Sequence, residues 1–159
     1  MIAPTLRAAD LRAGMAMPAL ERKLDLVRLV AYGGATWDWH RLHYDPAYAA
    51  ERGLRAPVAD GQMLGALLAE ALIDWLGPRA FVRKLSFRLR GMVFAGETVR
   101  CVGEVAGVAA DRDGDIVSVT HRVCVGDRLA ADGSAEVRLP SDPLEAPDRT
   151  SPNRSRRRS

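Results

Sequence analysis

The chain is poor in cysteine and in aromatic side chains. Aromatic residues make up 6% of its 159 residues, and cysteine occurs only twice, at Cys101 and Cys124. Two cysteines so far apart form neither a CxxC pair nor the spacing of a zinc site, which argues against a disulfide scaffold or a zinc module. We expect two buried free thiols, as in a protein kept in a reducing compartment.

The chain also lacks a long hydrophobic run. Its most apolar stretch, residues 63–76, is interrupted by Glu70 and Asp74 and is too short and too charged to span a bilayer. The N-terminal residues contain no apolar segment of the kind found in signal peptides. These features predict a cytoplasmic protein without a membrane partner.

The charge is nearly balanced over most of the chain. The formal net charge is +3, and residues 141–159, rich in Arg, Ser and Pro, carry +2 of it. A nearly neutral body has no strong field for nucleic acid, so we expect no nucleic-acid partner. The composition predicts one domain at residues 1–140 and a disordered tail at residues 141–159.

The first half of the chain predicts helices separated by a loop. After a short strand at residues 18–24, Asp25 is a plausible N-cap for a helix that Gly33-Gly34 would end. Residues 36–44 have no clean period and predict an ordered loop. Asp45-Pro46 then predicts a second helix, which continues to Gly53.

The longest predicted helix runs from Gly61 to about Leu76, with Asp60 as its cap and Gly77-Pro78 as its end. Apolar residues cover most of its circumference, which is typical of a buried helix.

The second half alternates apolar and polar residues with a period of two, which predicts antiparallel strands. Turns are predicted at Asp113-Gly114, Gly126-Asp127 and Asp132-Gly133, and a final strand at residues 134–139. His121 falls on the apolar face of its strand and is expected to be a hydrogen-bonded core histidine. A buried helix followed by such strands indicates an α+β fold in which the sheet wraps around the helix.

The predicted loop has the strongest chemical signal. Asp38 and His43 lie five residues apart, just before a helix. A carboxylate and an imidazole held together can orient a water molecule and move its protons, because histidine titrates near neutrality. The spacing alone leaves a hydrogen-bonded structural loop as an open alternative.

The loop and the segments that follow it resemble the MaoC-like (R)-specific enoyl-CoA hydratases. Residues 38–46 read Asp-Trp-His-Arg-Leu-His-Tyr-Asp-Pro, followed by Tyr48-Ala49 and by Pro-Val-Ala-Asp-Gly-Gln-Met-Leu at residues 57–64. The family pattern is Asp-x-Asn-Pro-x-His, then a Tyr-Ala or Phe-Ala helix, then a His-Gly-Met-Leu-like start of the central helix. The resemblance extends from about Leu11 to Glu104 and implies a hot-dog fold.

The resemblance also implies an activity and a site. Asp38 and His43 match the pair that activates water for addition to a 2-enoyl-CoA, which gives a (3R)-hydroxyacyl-CoA. Gly61 matches the glycine whose backbone N–H polarises the thioester carbonyl. The implied substrate is an acyl-CoA from fatty-acid or steroid side-chain metabolism, with no cofactor and no metal. The implied partner is a second copy or a second MaoC-like subunit.

Three positions depart from the family pattern. His40 stands where the family has Asn, Arg41 where it has Pro, and Asp60 where it commonly has His. Two other functions therefore stay open. One is a hot-dog acyl-CoA thioesterase that uses Asp60 or Glu70, and the other is a non-catalytic subunit that completes the site of a partner hydratase.

Overall fold

A computed structural model describes residues 6–140, so the predicted tail at 141–159 lies outside the described residues. The first half contains β1 Ala16–Lys23, α1 Leu26–Thr36, α2 Pro46–Glu51 and α3 Gly61–Leu76. The second half contains β2 Phe81–Leu89, β3 Thr98–Asp111, β4 Gly114–Val125 and β5 Arg128–Leu139.

The strands form one antiparallel sheet in the order β1-β3-β4-β5-β2. Consecutive hairpins join β3, β4 and β5, while β1 and β2 are the edges. Helix α3 contacts all five strands, so the sheet wraps around it. The predicted α+β hot-dog architecture is therefore confirmed. Among the described residues, no helix is long and apolar enough to cross a membrane.

Helix α3 is the centre of the core. Leu64, Leu68 and Leu72 are each at most 3% exposed, and burying a leucine side chain stabilises the fold by about 2 kcal/mol. The Asp60 carboxylate accepts the Gln62 N–H at 2.8 Å, as a helix cap does. The predicted buried helix and its cap are confirmed.

The sequence predicted that helix α1 ends at Gly33-Gly34, and this prediction is wrong. It continues to Thr36 and ends at Trp37, whose φ of 62° places it in the left-handed region. Its start is confirmed, because the Asp25 carboxylate accepts the Arg28 N–H at 2.9 Å.

Strand boundaries also differ from the predicted ones. β1 begins at Ala16, two residues early, and β5 is continuous from Arg128, with no turn at Asp132-Gly133. Gly133 pairs with Phe87 of β2, and a Cβ on it would lie 1.9 Å from the Ser86 carbonyl oxygen. This glycine permits close strand contact rather than a turn, which local sequence cannot distinguish.

His121 and Cys124 differ in part from what the sequence predicted. His121 is 2% exposed, as predicted, but neither ring nitrogen has a well-formed hydrogen bond among the described residues. Both cysteines are free; Cys101 is buried, whereas Cys124 is only half-buried. Burial raises the pKa of the Cys101 thiol to about 12, with a smaller contribution from the charge of Glu70.

Candidate active site

The end of α1 positions Asp38. Trp37 reverses the chain, and the Asp38 N–H then donates to the Gly33 carbonyl at 3.0 Å. The turn presses Asp38 against the helix, so that a Cβ on Gly33 would lie 2.7 Å from the Asp38 carbonyl oxygen. Only glycine leaves room for this contact. Sequence reasoning took Gly33 for a helix stop and missed its position beneath Asp38.

A short 3-10 turn, Arg41–His43, follows and carries His43. His40 caps this turn, because its Nδ1 accepts the Leu42 N–H at 3.1 Å. The His40 N–H donates to Asp38 Oδ1 at 3.0 Å. His40 thus fulfils a capping role that an asparagine side chain can also fulfil.

Arg41, which stands where the family has proline, secures the same turn in another way. Its guanidinium donates to the Asp45 carboxylate at 2.7 and 3.0 Å. Asp45 also accepts the Tyr48 N–H, as the predicted cap of α2. The hydrogen bonds that the Tyr48 backbone N–H and the Arg41 side chain donate to the Asp45 carboxylate lower the pKa of that carboxyl. Helix α2 ends at Glu51, two residues before the predicted Gly53.

The structure brings Asp38 and His43 together. His43 Nδ1 lies 2.7 Å from the Val58 carbonyl oxygen, which only accepts, so Nδ1 carries a hydrogen and the lone pair of the neutral ring is on Nε2. Nε2 lies 3.8 Å from Asp38 Oδ2. This distance is too long for a direct hydrogen bond and leaves both atoms available to one water molecule.

His43 also forms part of the wall of a pocket of about 360 Å³. The other lining residues come from the start of α3 and from the segment around the end of β2, namely Val58, Ala59, Gly61, Leu64, Leu89, Gly91, Met92 and Val93. The lining is mostly apolar. Asp38 is not part of this wall, and its side chain is 44% exposed compared with 18% for His43.

Gly61, the third predicted site residue, lies in the same pocket at the N-terminus of α3. Its N–H has no acceptor among residues 6–140, and the first N–H groups of a helix carry positive potential. A Cβ on Gly61 would lie 2.5 Å from Leu89 Cδ1, so glycine allows Leu89 to close the pocket against the helix. The Gly61 N–H can therefore donate to an oxygen that gains negative charge.

The two carboxylates proposed for thioester hydrolysis have structural partners. Asp60 caps α3, and its charge also acts on α1, where burial first and the Asp60 charge second raise the pKa of the Tyr32 phenol. Glu70 forms an ion pair with Arg22 of β1. Neither residue lines the pocket that contains His43.

A cluster centred on Glu97 supports the pocket wall and was not identified from the sequence. Its carboxylate binds Arg55, Arg128 and the Phe94 N–H, and Arg128 also donates to the Met92 carbonyl at 2.6 Å. Burial opposes ionisation of Glu97, but the Phe94 N–H and the two guanidiniums outweigh it, so the pKa of the carboxyl lies below its usual value. In the sequence, the only signal for this cluster is a glutamate, Glu97, directly after Gly96.

Within residues 6–140, no group of three or more His, Cys, Asp or Glu side chains is placed to hold a metal ion. The chemistry available at the site is that of one imidazole, one carboxylate and one backbone N–H beside an apolar pocket. This set can activate water and stabilise an oxyanion.

Comparison with known proteins shows which family the chain resembles. The family model described as MaoC like domain matches residues 12–127. An (R)-specific enoyl-CoA hydratase from Aeromonas caviae is 30% identical over 125 residues, which are 76% of this chain and 90% of the relative. The solved (R)-hydratase of A. caviae involved in PHA biosynthesis superposes with a TM-score of 0.74 over 82% of this chain and 98% of that one, at 30% identity.

Two further matches come from Mycobacterium tuberculosis. The 3-oxo-4,17-pregnadiene-20-carboxyl-CoA hydratase beta subunit is 30% identical over 119 residues, 74% of this chain and 90% of the relative. The ChsH1-ChsH2 complex has the same fold, with a TM-score of 0.71 at 24% identity over 80% of this chain and 98% of that one. These matches confirm the resemblance seen in the sequence and the expectation of a hydro-lyase.

Proposed function

Because the chain belongs to the MaoC-like dehydratase family, we propose that it is an (R)-specific enoyl-CoA hydratase. It adds water to a 2-enoyl-CoA and forms a (3R)-hydroxyacyl-CoA. The observation that carries this proposal is the pairing of His43 Nε2 with Asp38 Oδ2 across 3.8 Å, with His43 in the wall of an apolar pocket.

In the proposed reaction, Asp38 and His43 hold one water molecule between them. The water oxygen forms a bond to Cβ of the enoyl group, and one of its protons passes to His43 Nε2. The Nδ1–H bond to the Val58 carbonyl orients the ring and, in the neutral imidazole, places the lone pair on Nε2. The Asp38 carboxylate stabilises the imidazolium that results.

The electron pair of the double bond moves towards the thioester, whose oxygen gains negative charge. The Gly61 N–H donates to that oxygen, aided by the positive end of α3. When the carbonyl re-forms, Cα takes up the proton that the His43 imidazolium received from the water, so that water has added across the double bond and the imidazole is neutral again. This sequence requires no cofactor and no metal, and we propose that none is used.

The pocket lining supports an acyl-CoA as substrate. Leu64, Leu89 and Val93 give it an apolar wall, which suits the hydrocarbon part of an acyl chain. Leu89 and Met92 are 56% and 54% exposed, so the apolar surface continues out of the mouth. We propose acyl groups of fatty-acid or steroid side-chain type. The names of the relatives give an enoyl-CoA and a 3-oxo-4,17-pregnadiene-20-carboxyl-CoA.

The same surface supports a partner subunit along β2. The other edge, β1, contains Pro18 and a register shift between Met17 and Leu20, which discourage pairing. β2 has no proline, and its exposed Phe81 and Leu89 favour an apolar contact. We propose that a second copy or a second MaoC-like subunit pairs there, beside the pocket.

The activity is tested by following the ultraviolet absorbance of the conjugated enoyl thioester, with crotonyl-CoA and with longer or bulkier enoyl-CoAs. Asp38→Asn and His43→Ala are each expected to lower kcat by about a hundredfold or more. Asp113→Asn, in the distant turn between β3 and β4, is the matched control and keeps full activity. Full activity in both site variants would exclude the proposed pair.

The partner is tested by sedimentation velocity on the wild type, alone and mixed with a second MaoC-like chain. Phe81→Asp is expected to shift the protein towards monomer. Val108→Asp, at an exposed position of the interior strand β3, is the control and leaves the assembly unchanged. A wild type that stays monomeric at all concentrations, with and without the second chain, contradicts the proposed pairing.

A further inference from the structure

His40 is held at two points that connect it to both members of the proposed pair. Its Nδ1 accepts the Leu42 N–H at 3.1 Å, one residue before His43. Its own N–H donates to Asp38 Oδ1 at 3.0 Å. The position of His40 therefore determines how the 3-10 turn that carries His43 stands relative to Asp38.

The imidazole of His40 is also fixed by aromatic contacts. It lies edge-on to the ring of Tyr48, with ring centroids 5.8 Å apart, and edge-on to that of His43, 6.0 Å away. The Tyr48 ring is covered by the guanidiniums of Arg41 and Arg52. Of the titratable and charged groups, Asp38, His43 and Tyr48 therefore contact His40 directly, and the two guanidiniums lie over the Tyr48 ring.

The hydrogen bond from Leu42 requires a lone pair on Nδ1. A neutral imidazole with its hydrogen on Nε2 supplies that lone pair, whereas a protonated imidazole donates from both nitrogens and cannot accept. Asparagine, the residue that the family has here, would supply an acceptor that does not titrate. The substitution by histidine therefore makes the cap of this turn sensitive to protonation.

We propose that His40 is a positioning residue that holds Asp38 and His43 in register only while its imidazole is neutral. Protonation of His40 releases the Leu42 N–H, loosens the 3-10 turn and disables hydration. This inference rests on the proposed hydratase function. It predicts that protonation of His40 lowers kcat at acid pH in addition to protonation of His43.

The test compares wild type with His40→Asn and His40→Leu. His40→Leu lacks the cap acceptor and is expected to lower kcat by between about tenfold and a hundredfold, with a smaller change in KM. His40→Asn restores kcat at neutral pH. On the acid side, log kcat of the wild type falls more steeply with pH than that of His40→Asn, because two protonations rather than one disable the wild type.

A readout that needs no activity separates this inference from the proposed function. In an amide NMR titration, the Leu42 signal of the wild type moves further than that of His40→Asn as the pH falls, because only the wild type loses the acceptor of this N–H. Equal acid limbs for wild type and His40→Asn, full activity in His40→Leu, or a Leu42 signal that moves equally in wild type and His40→Asn would each overturn the role of His40. A wild type that shows the Leu42 shift but hydrates no enoyl-CoA would instead overturn the proposed function.

Discussion

The carbonyl of Asp38 packs directly against Gly33 of α1. A Cβ on Gly33 would lie 2.7 Å from that oxygen, closer than real contacts of this kind, while the next glycine, Gly34, faces the Trp39 ring at an ordinary 3.5 Å. The two adjacent helical glycines thus differ in what a side chain would meet. Only at Gly33 would a side chain push on the residue that carries the proposed carboxylate.

This difference predicts opposite outcomes for two similar substitutions. Gly33→Ala is expected to displace Asp38 and to lower kcat for enoyl-CoA hydration by about tenfold or more. Gly34→Ala keeps activity near wild type, because its methyl group meets only ordinary van der Waals contact. Initial rates and urea denaturation of both variants are the measurements. Equal activity in the two variants contradicts the positioning of Asp38 by Gly33.

Glu70 is expected to act in stability and not in chemistry. Its carboxylate pairs with Arg22 of β1 and does not line the pocket. Glu70→Gln should therefore leave hydration unchanged while lowering the free energy of unfolding by up to about 1 kcal/mol, since the pair is about one-third exposed. Arg22→Gln should give the same result. Loss of activity in Glu70→Gln, or release of free CoA that depends on Glu70, favours a thioesterase instead.

Glu97 predicts a stability that depends on pH in the acid range. The pKa of Glu97 is lower in the folded protein than the ordinary value of 4.5, so its stabilising effect is present above that value and is lost as pH falls through the folded pKa. Glu97→Gln is expected to lower the free energy of unfolding at pH 7 by about 2 kcal/mol. The difference from wild type should shrink as the pH is lowered through the acid range.

Urea denaturation at a series of pH values measures this effect. Glu104→Gln, an exposed position on β3, is the control and should follow the wild type at every pH. If the stability of Glu97→Gln runs parallel to that of the wild type over the whole pH range, the proposed role of the Glu97 cluster is contradicted.

His121 predicts a second pH dependence, near neutrality. Burial lowers the pKa of its imidazole below the ordinary 6.5, although the nearby Ser134 backbone offsets part of this effect. As the pH falls below 6.5, the unfolded chain takes up a proton that the folded chain does not, and stability declines by at most about 1.4 kcal/mol per pH unit. His121→Leu removes the titrating group and should flatten this part of the stability curve.

The control for His121→Leu is its stability at pH 8, where both proteins are neutral at this position. Replacing an unpaired buried polar ring by an apolar side chain should cost little there. An unchanged slope of stability against pH between 7 and 5 in His121→Leu contradicts a neutral, buried imidazole in the folded state.

Features that depend on neighbours in sequence were predictable. Asp25, Asp45 and Asp60 each cap the helix that they precede, because a cap is formed within three residues. The resemblance of their loop to the family motif singled out Asp38 and His43, and the structure brings their side chains to 3.8 Å, while their catalytic role stays a prediction.

Features that depend on distant backbone were not predictable. Asp132-Gly133 has the composition of a turn, but Gly133 lies inside β5 and allows the close approach of Ser86. Gly33 was likewise interpreted as a helix stop, because its contact with Asp38 forms only after Trp37 has reversed the chain. The cap formed by His40 required the observed orientation of its ring towards Leu42.

The central claim is that Asp38 and His43 add water across a carbon–carbon double bond and leave the thioester intact. The most direct measurement is mass spectrometry of the products formed from a 2-enoyl-CoA in ¹⁸O-labelled water, with Asp38→Asn and His43→Ala alongside. The account predicts a 3-hydroxyacyl-CoA that carries the label at C3 in the wild type, and almost none in either variant. Label found instead in a free carboxylic acid, together with released CoA, would contradict it.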